Sequence, residues 1–255
     1  MTATSDTSQA APAVLLVRHE GWAEIVLNRP QRRNAIDGVL ADDFFNALVT
    51  AQADASLRAL VLRGEGGALC SGLDLKAFNA EPRPAWVPGF NARWREVHVA
   101  LASTQKVLLV ALERYAINGG AALAIAGDVL VCGRTATLQI GEIRLGMAAP
   151  NNLAWLLMRH SEAVAARLAL LGDKVTADEL LRLGVATEVV DDDQVSARCK
   201  ALAGEIATWP AENVFKLKAA LRRTSIGPDI KQWFDSFAQP GGKPPPTLDQ
   251  ARVHT

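Results

Sequence analysis

The chain has 255 residues, 49% of them hydrophobic, and its 27 basic side chains are matched by 27 acidic ones. That length bounds one large domain, or one domain with a small appendage, and the apolar content is enough for a substantial core. The even charge and the lack of any basic run argue against a nucleic-acid partner, and no apolar run nears the roughly 20 residues needed to cross a bilayer, so no membrane partner is expected.

Residues 1–12 are small and polar, and disorder is expected there. "VLLVRHEGWAEIVLN" predicts two short strands around a Glu20-Gly21 turn. After the polar loop "NRPQRRNAID", Asp37 can cap a helix running to about Ala53, with Leu40, Phe44, Ala47 and Leu48 on one face. "RALVLRG" is an apolar strand stopped by Gly64, "GEGGALCSGLDLKAF" is a glycine-rich loop, and "KVLLVAL" is a second buried strand. "DVLVCG" and "ATLQI" follow as short strands. Helical periodicity then covers about Leu153 to Leu171, Ala177 to Leu183, Val195 to Thr208 and Ala211 to Thr224, and "QPGGKPPPT" is a breaker-rich tail. Buried strands alternating with helices give an α/β class with a helical C-terminal third.

The segment "NAEPRPAWVPGFNARW", residues 79–94, places prolines and tryptophans where regular structure should fail. It is either a packed surface loop or a mobile lid that offers Trp86, Phe90 or Trp94 to an apolar ligand. Cys70, Cys132 and Cys199 are scattered and odd in number, so no disulfide framework is read and a reducing, cytoplasmic setting is expected. His19, His98, His160 and His254 have no metal-ligand spacing, and no metal is expected. The start "MTATSDTSQAAPA" lacks the basic and apolar regions of a signal peptide.

Two glycine loops carry the chemistry. In "INGGAALAIAGD", Gly119 and Gly120 open an apolar helix. The first N–H groups of a helix lack partners and carry the positive end of its dipole, and a glycine lets a ligand approach them without meeting a Cβ. In "CSGLDLKAF", Gly72 precedes Leu73. If both loops face one cleft, the Leu73 and Gly119 N–H groups can share one oxygen as an oxyanion hole. Taken alone, Gly119 and Gly120 could equally ease helix-on-strand packing. "GEGGALCSG" matches neither the dinucleotide nor the P-loop pattern.

With "LNRPQRRNAI", "CSGLDLKAF", "INGGAALAIAGD", "GEIRLGM" and "LALLGDKVTADELLRLGVATEVV" in order, the chain resembles the enoyl-CoA hydratase/isomerase (crotonase) superfamily from about Val14 to about Thr224. The resemblance implies a ββα spiral over 13–195, with a C-terminal helical region and tail over 196–255 that builds homotrimers and often hexamers. It implies an acyl-CoA thioester as substrate, so that coenzyme A is part of the substrate and no separate cofactor is needed. Leu73 and Gly119 would hold the thioester oxygen, and the loop at Gly72 with Lys76 would meet the CoA nucleotide. Hydratases of the family use two glutamates. At the first position this chain has Ala122; at the second it has Glu142, with Gly141 replacing the usual proline.

One carboxylate suffices to move a proton from C2 to C4 of an enoyl thioester, whereas addition of water divides its work between two. The resemblance therefore implies a Δ3,Δ2-enoyl-CoA isomerase with Glu142 as base. The alternatives are a hydratase or other crotonase-type lyase, or a non-catalytic acyl-CoA binder. In "MAAPNNLAW", Asn151 and Asn152 either cap a helix or polarise the acyl chain or a water, and Trp155 either narrows the acyl pocket or sits in the core. Glu113 and Asp128 are expected to be structural, Asp74 to order its loop, and Cys70 to be a small buried residue.

Overall fold

The structure, a computed structural model, describes residues 11–227 and 229–238. The expected disordered start (residues 1–10 of it) and the "QPGGKPPPT" tail lie outside the described residues. The chain opens with β1 (Val14–His19) and β2 (Trp22–Leu27), which pair antiparallel across Gly21 at φ +77°. Next come α1 (Gly38–Ala53), β3 (Ala59–Gly64), α2 (Leu75–Phe78), α3 (Phe90–Ser103), β4 (Val107–Leu112), β5 (Tyr115–Ile117) and α4 (Gly119–Ala126). The second half holds β6 (Val129–Gly133), β7 (Thr137–Gln139), α5 (Pro150–Arg159), α6 (Glu162–Ala169), β8 (Lys174–Thr176), α7 (Ala177–Arg182) and β9 (Glu188–Val190). Three helices close it: α8 (Val195–Ala207), α9 (Ala211–Ile226) and α10 (Ile230–Phe237).

The main sheet runs β1-β2-β3-β4-β6-β9, parallel from β2 onward, so the chain advances along it one strand per turn of a spiral. A small second sheet, β5-β7-β8, is threaded between those turns. Period-2 geometry explains why the strands read as unbroken apolar runs. Leu60 and Leu62 of β3, with Leu108, Val110 and Leu112 of β4, enter the larger core beneath α1, α3 and α4. Ala59, Val61, Leu109 and Ala111 point the other way, onto Val195, Cys199, Ala203 and Ile206 of α8. Helix α1 begins as expected: Asp37 accepts from the Leu40 N–H at 2.9 Å, and Leu40, Phe44, Ala47 and Leu48 are buried.

Several sequence expectations need correction. The helix read from Leu153 to Leu171 is two helices, α5 and α6, because His160 is extended and Ser161 starts a new N-cap by accepting from Val164. The 79–94 segment is not loop throughout: after a 3₁₀ turn at Val87–Gly89, α3 starts at Phe90. The three-residue strands β5, β8 and β9 are too short to show a period, and helix α10 was not read although Ile230, Trp233, Phe234 and Phe237 recur at helical spacing and face the core.

Candidate active site

The glycine-rich loop after β3 is held from behind by Asn34, a fully buried residue of "LNRPQRRNAI". Its Nδ2 donates to Ala68 O at 2.7 Å and Glu65 O at 3.0 Å, and its Oδ1 accepts from the Arg29 N–H at 2.8 Å. Downstream, the Ile36 N–H donates to Gly72 O and the Asp74 N–H donates to Ile36 O, each at 2.8 Å. This is a parallel bridge between Ile36 and Leu73. In such a bridge Ile36 uses both its own backbone groups, so the N–H of Leu73 is turned to the opposite side, away from Ile36. Asp74 then accepts from the Ala77 N–H at 3.0 Å and starts α2, which leaves Lys76 exposed beside the loop.

The second loop is pressed against the first. Cys70 and Ala116 form a bridge, and the Ile117 N–H donates to Cys70 O at 3.0 Å. A Cβ on Gly120 would lie 2.5 Å from Cys70 O, and one on Gly72, at φ +89°, 3.0 Å from Ile117 O. Glycine is required at both because of this close approach. Asn118 takes up φ +53°, and α4 starts at Gly119 with no side-chain cap, so the first N–H groups of the helix are not taken by one. Leu73 and Gly119 are thereby brought to adjoining loops. A Cβ on Gly119 would be 2.9 Å from Ile36 Cδ1 and 3.9 Å from Trp94 Nε1, which places those two side chains over it. Ala122, one turn further along, is fully buried.

Glu142 opens a 3₁₀ turn (Glu142–Leu145) and is 8% exposed. Its Oε1 accepts from Asn152 Nδ2 at 2.9 Å, and its Oε2 is buried without a hydrogen-bond partner. Burial pushes its pKa up to about 7, against the opposing pull of its own backbone N–H and of Asn152. Asn152 Nδ2 also donates to Asn118 O at 3.1 Å, while Asn118 Oδ1 accepts from the Gly141 N–H at 2.8 Å. A proline at position 141 could not make that last bond.

The expectation that Asn151 or Asn152 caps a helix does not hold. Pro150 takes the first helical position behind Ala149, which has no side chain able to cap, and both asparagines fall inside the first turn. Asn152, not Asn151, reaches Glu142; Asn151 stands roughly 100° round the helix from it. Trp155 is fully buried and donates to His98 Nδ1 at 2.9 Å, so it is a core residue at the back of the site. His98, also fully buried, is held neutral, burial lowering its pKa to about 3. Trp94 packs edge-on to His98, with ring centroids 5.0 Å apart. Phe90 and Trp86 continue this aromatic row outward to Phe78, and Trp86 lies over Gly38 of α1. Of the three lid aromatics, Trp94 alone is the one that approaches Gly119.

The other polar groups singled out in the sequence lie among charged neighbours or in the core. Asp128 accepts from the Leu108 N–H at 2.8 Å and pairs with Arg159, Lys218 and Arg222. Glu113 is half-buried, and its charged neighbours are Arg63, Glu65 and Lys200. Cys70, Cys132 and Cys199 are free and buried, and burial pushes each thiol up to about 12. Among the described residues there is no cluster of three or more candidate metal ligands, and no helix is long and apolar enough to cross a membrane.

Comparison with known proteins bears on the family and the fold. The family model described as enoyl-CoA hydratase/isomerase matches residues 18–234. The chain is 30% identical over 206 residues to the 1,2-epoxyphenylacetyl-CoA isomerase of Escherichia coli, covering 79% of each chain. It is 30% identical over 204 residues to the carnitinyl-CoA dehydratase of Proteus mirabilis, covering 79% of this chain and 77% of that one. A crystal structure of an enoyl-CoA hydratase from Mycobacterium smegmatis superposes with a TM-score of 0.77 at 27% identity, over 88% of this chain and 87% of that one. The chain belongs to the enoyl-CoA hydratase/isomerase family, has its crotonase-type spiral fold, and is an enzyme of that family.

Proposed function

We propose that the protein isomerises Δ3-enoyl-CoA thioesters to Δ2-enoyl-CoA thioesters, with Glu142 as the single acid–base group. The observation that carries this reading is the buried Glu142 carboxyl, its Oε2 without a partner and its pKa pushed up by burial to about 7, in a site where the family's other carboxylate position is the methyl of Ala122. A base whose pKa lies near the working pH both accepts and returns a proton readily.

In the reaction, Glu142 Oε2 takes the proton from C2. The C2–H electron pair moves into the thioester, giving a dienolate whose oxygen is held by the Leu73 and Gly119 N–H groups. As the thioester carbonyl re-forms, the C1=C2 pair becomes C2=C3, and the C3=C4 pair takes the proton back from Glu142 at C4. A positioned base supplies roughly 10²–10⁴-fold, and each oxyanion donor about 3 kcal/mol. The exposure of Lys76 beside the Gly72 loop supports it as the contact for a CoA phosphate. Coenzyme A arrives as part of the substrate, and Ile36, Trp94 and their aromatic neighbours supply an apolar surround for the acyl chain.

Hydration of a 2-enoyl thioester is the second reading, and one observation favours it. Asn152 Oδ1 is buried without a donor next to the catalytic carboxyl, where it could hold a water. The two are separated by incubating 2-enoyl and 3-enoyl thioesters of several chain lengths with the enzyme. Double-bond migration without water addition supports the isomerase; efficient hydration with no migration overturns it.

The assembly we propose is a trimer-based homo-oligomer in a reducing cytoplasm. Leu217 and Leu221 lie one turn apart on α9 and are 69% and 67% exposed, an apolar face that a second copy would cover. Light scattering giving the mass of a monomer at micromolar concentration would refute it.

A further inference from the structure

Resting on Glu142 as the base, we propose that Asn152 is the positioning residue of the site, which with Asn118 fixes the Glu142 carboxylate relative to the oxyanion segment. The geometry is a closed brace. Asn118 is the residue before Gly119, and Gly141 is the residue before Glu142; the Asn118 side chain joins the two through the Gly141 N–H. Asn152 ties the same two points a second time, from the Asn118 carbonyl to Glu142 Oε1. Both protons of Nδ2 are committed to oxygens, so the orientation of this amide is set: turned over, it would press oxygen against two oxygens. The segment that carries Gly119 and the one that carries Glu142 are therefore joined twice rather than merely meeting.

Asn152 is also the only side chain bonded to the Glu142 carboxylate among the described residues. No charged neighbour shares that task. On the same turn Arg144 donates to Leu171 O; on α5 Arg159 pairs with Asp128; on α3 His98 is neutral; and α4 has no titratable residue. The carboxylate form of Glu142 is thus opposed by burial and supported by its own N–H and by Asn152. Removing Asn152 takes away a donor that favours the charged form, so the proton should be held more tightly.

The test uses unliganded protein, so that it stands even if the reaction assignment fails. The carbonyl stretch of protonated Glu142, identified by its loss in Glu142→Gln, is followed by infrared spectroscopy against pH. In the wild type the midpoint is expected near 7. In Asn152→Ala it should rise by about one pH unit. Asn152→Asp keeps the side-chain shape and, with a second carboxyl in place of the donor, should raise it at least as far. An unchanged or lowered midpoint in a folded variant overturns the proposal. Where isomerisation is measurable, the acid limb of kcat should move with the midpoint while KM changes less than about twofold; a limb that stays put while KM rises would mean that Asn152 serves substrate binding and not the base.

Discussion

The N–H of Gly141 donates to Asn118 Oδ1 at 2.8 Å, joining the residue before Glu142 to the residue before Gly119. This bond exists because position 141 is not a proline, and it gives a direct experiment. Gly141 has φ −89°, which a proline ring can approach, so Gly141→Pro should fold. It removes the donor and leaves Asn118 Oδ1 unpaired, and should cost about 1–3 kcal/mol in thermal or urea unfolding. Because the brace is loosened, kcat should fall more than KM rises. Unchanged stability would show that the bond contributes nothing.

Glu142→Gln keeps the shape of the side chain but cannot accept a proton. Turnover should be lost while acyl-CoA binding, read by calorimetry, changes little. In the wild type kcat should rise with pH through about 7 as the carboxyl ionises. The same shift has a stability sign. The native pKa lies above the ordinary 4.5, so the native state holds its proton more tightly than the unfolded chain. The associated stability is complete below pH 4.5 and is lost as pH rises through 7. Glu142→Gln should therefore be more stable than the wild type at pH 8, by up to about 3 kcal/mol; equal melting temperatures there would contradict a strained carboxylate.

Ala122→Glu adds a carboxyl at the first of the two positions that the family resemblance implies for a hydratase. Ala122 is fully buried, so the added charge and volume should destabilise the fold by about 1–3 kcal/mol. Among folded molecules, slow hydration of a 2-enoyl thioester should appear, followed as loss of the enoyl absorbance. A wild type that already hydrates at the rate of the variant would move the assignment to the second reading.

His98 makes the fold sensitive to acid. Its native pKa of about 3 lies below the ordinary 6.5, so the unfolded chain binds the proton first. The stability it contributes is complete above pH 6.5 and falls as pH drops toward 3, by at most about 1.4 kcal/mol per pH unit. His160, lowered to about 4, shares part of this window. His98→Gln keeps an acceptor for the Trp155 N–H and should flatten, without abolishing, the slope of urea-unfolding free energy between pH 6 and 4. An identical slope in the variant would show that His98 is not buried neutral.

Local chemistry was legible in the sequence wherever one residue does one thing. Asp37 and Asp74 accept from the helical N–H groups three residues on, and the glycines at 72 and 120 stand where backbone meets backbone; Glu142 was singled out by the resemblance to the family. What escaped was phase and partnership. Choosing between Asn151 and Asn152 depends on where α5 begins, and Pro150 at its first position was the available signal. Ser161 followed by Glu162 marked the break between α5 and α6 in the same way. The start of α3 was hidden because Pro88 and Gly89 end one turn and Phe90, buried in the aromatic row, begins the next. The brace through Asn118 joins residues 23 positions apart, a relationship that no local pattern encodes.

If the proposed isomerisation holds, the burial of Glu142 Oε2 governs where an isotope would travel. A carboxyl cut off from bulk solvent trades its proton with water slowly compared with a short rotation between two carbons of the same chain. Deuterium carried at C2 of the substrate would then be delivered to C4 of the product within one encounter, and product formed in heavy water would incorporate little label. The enzyme would act as a closed relay, moving a hydrogen along one face of the chain without ever releasing it.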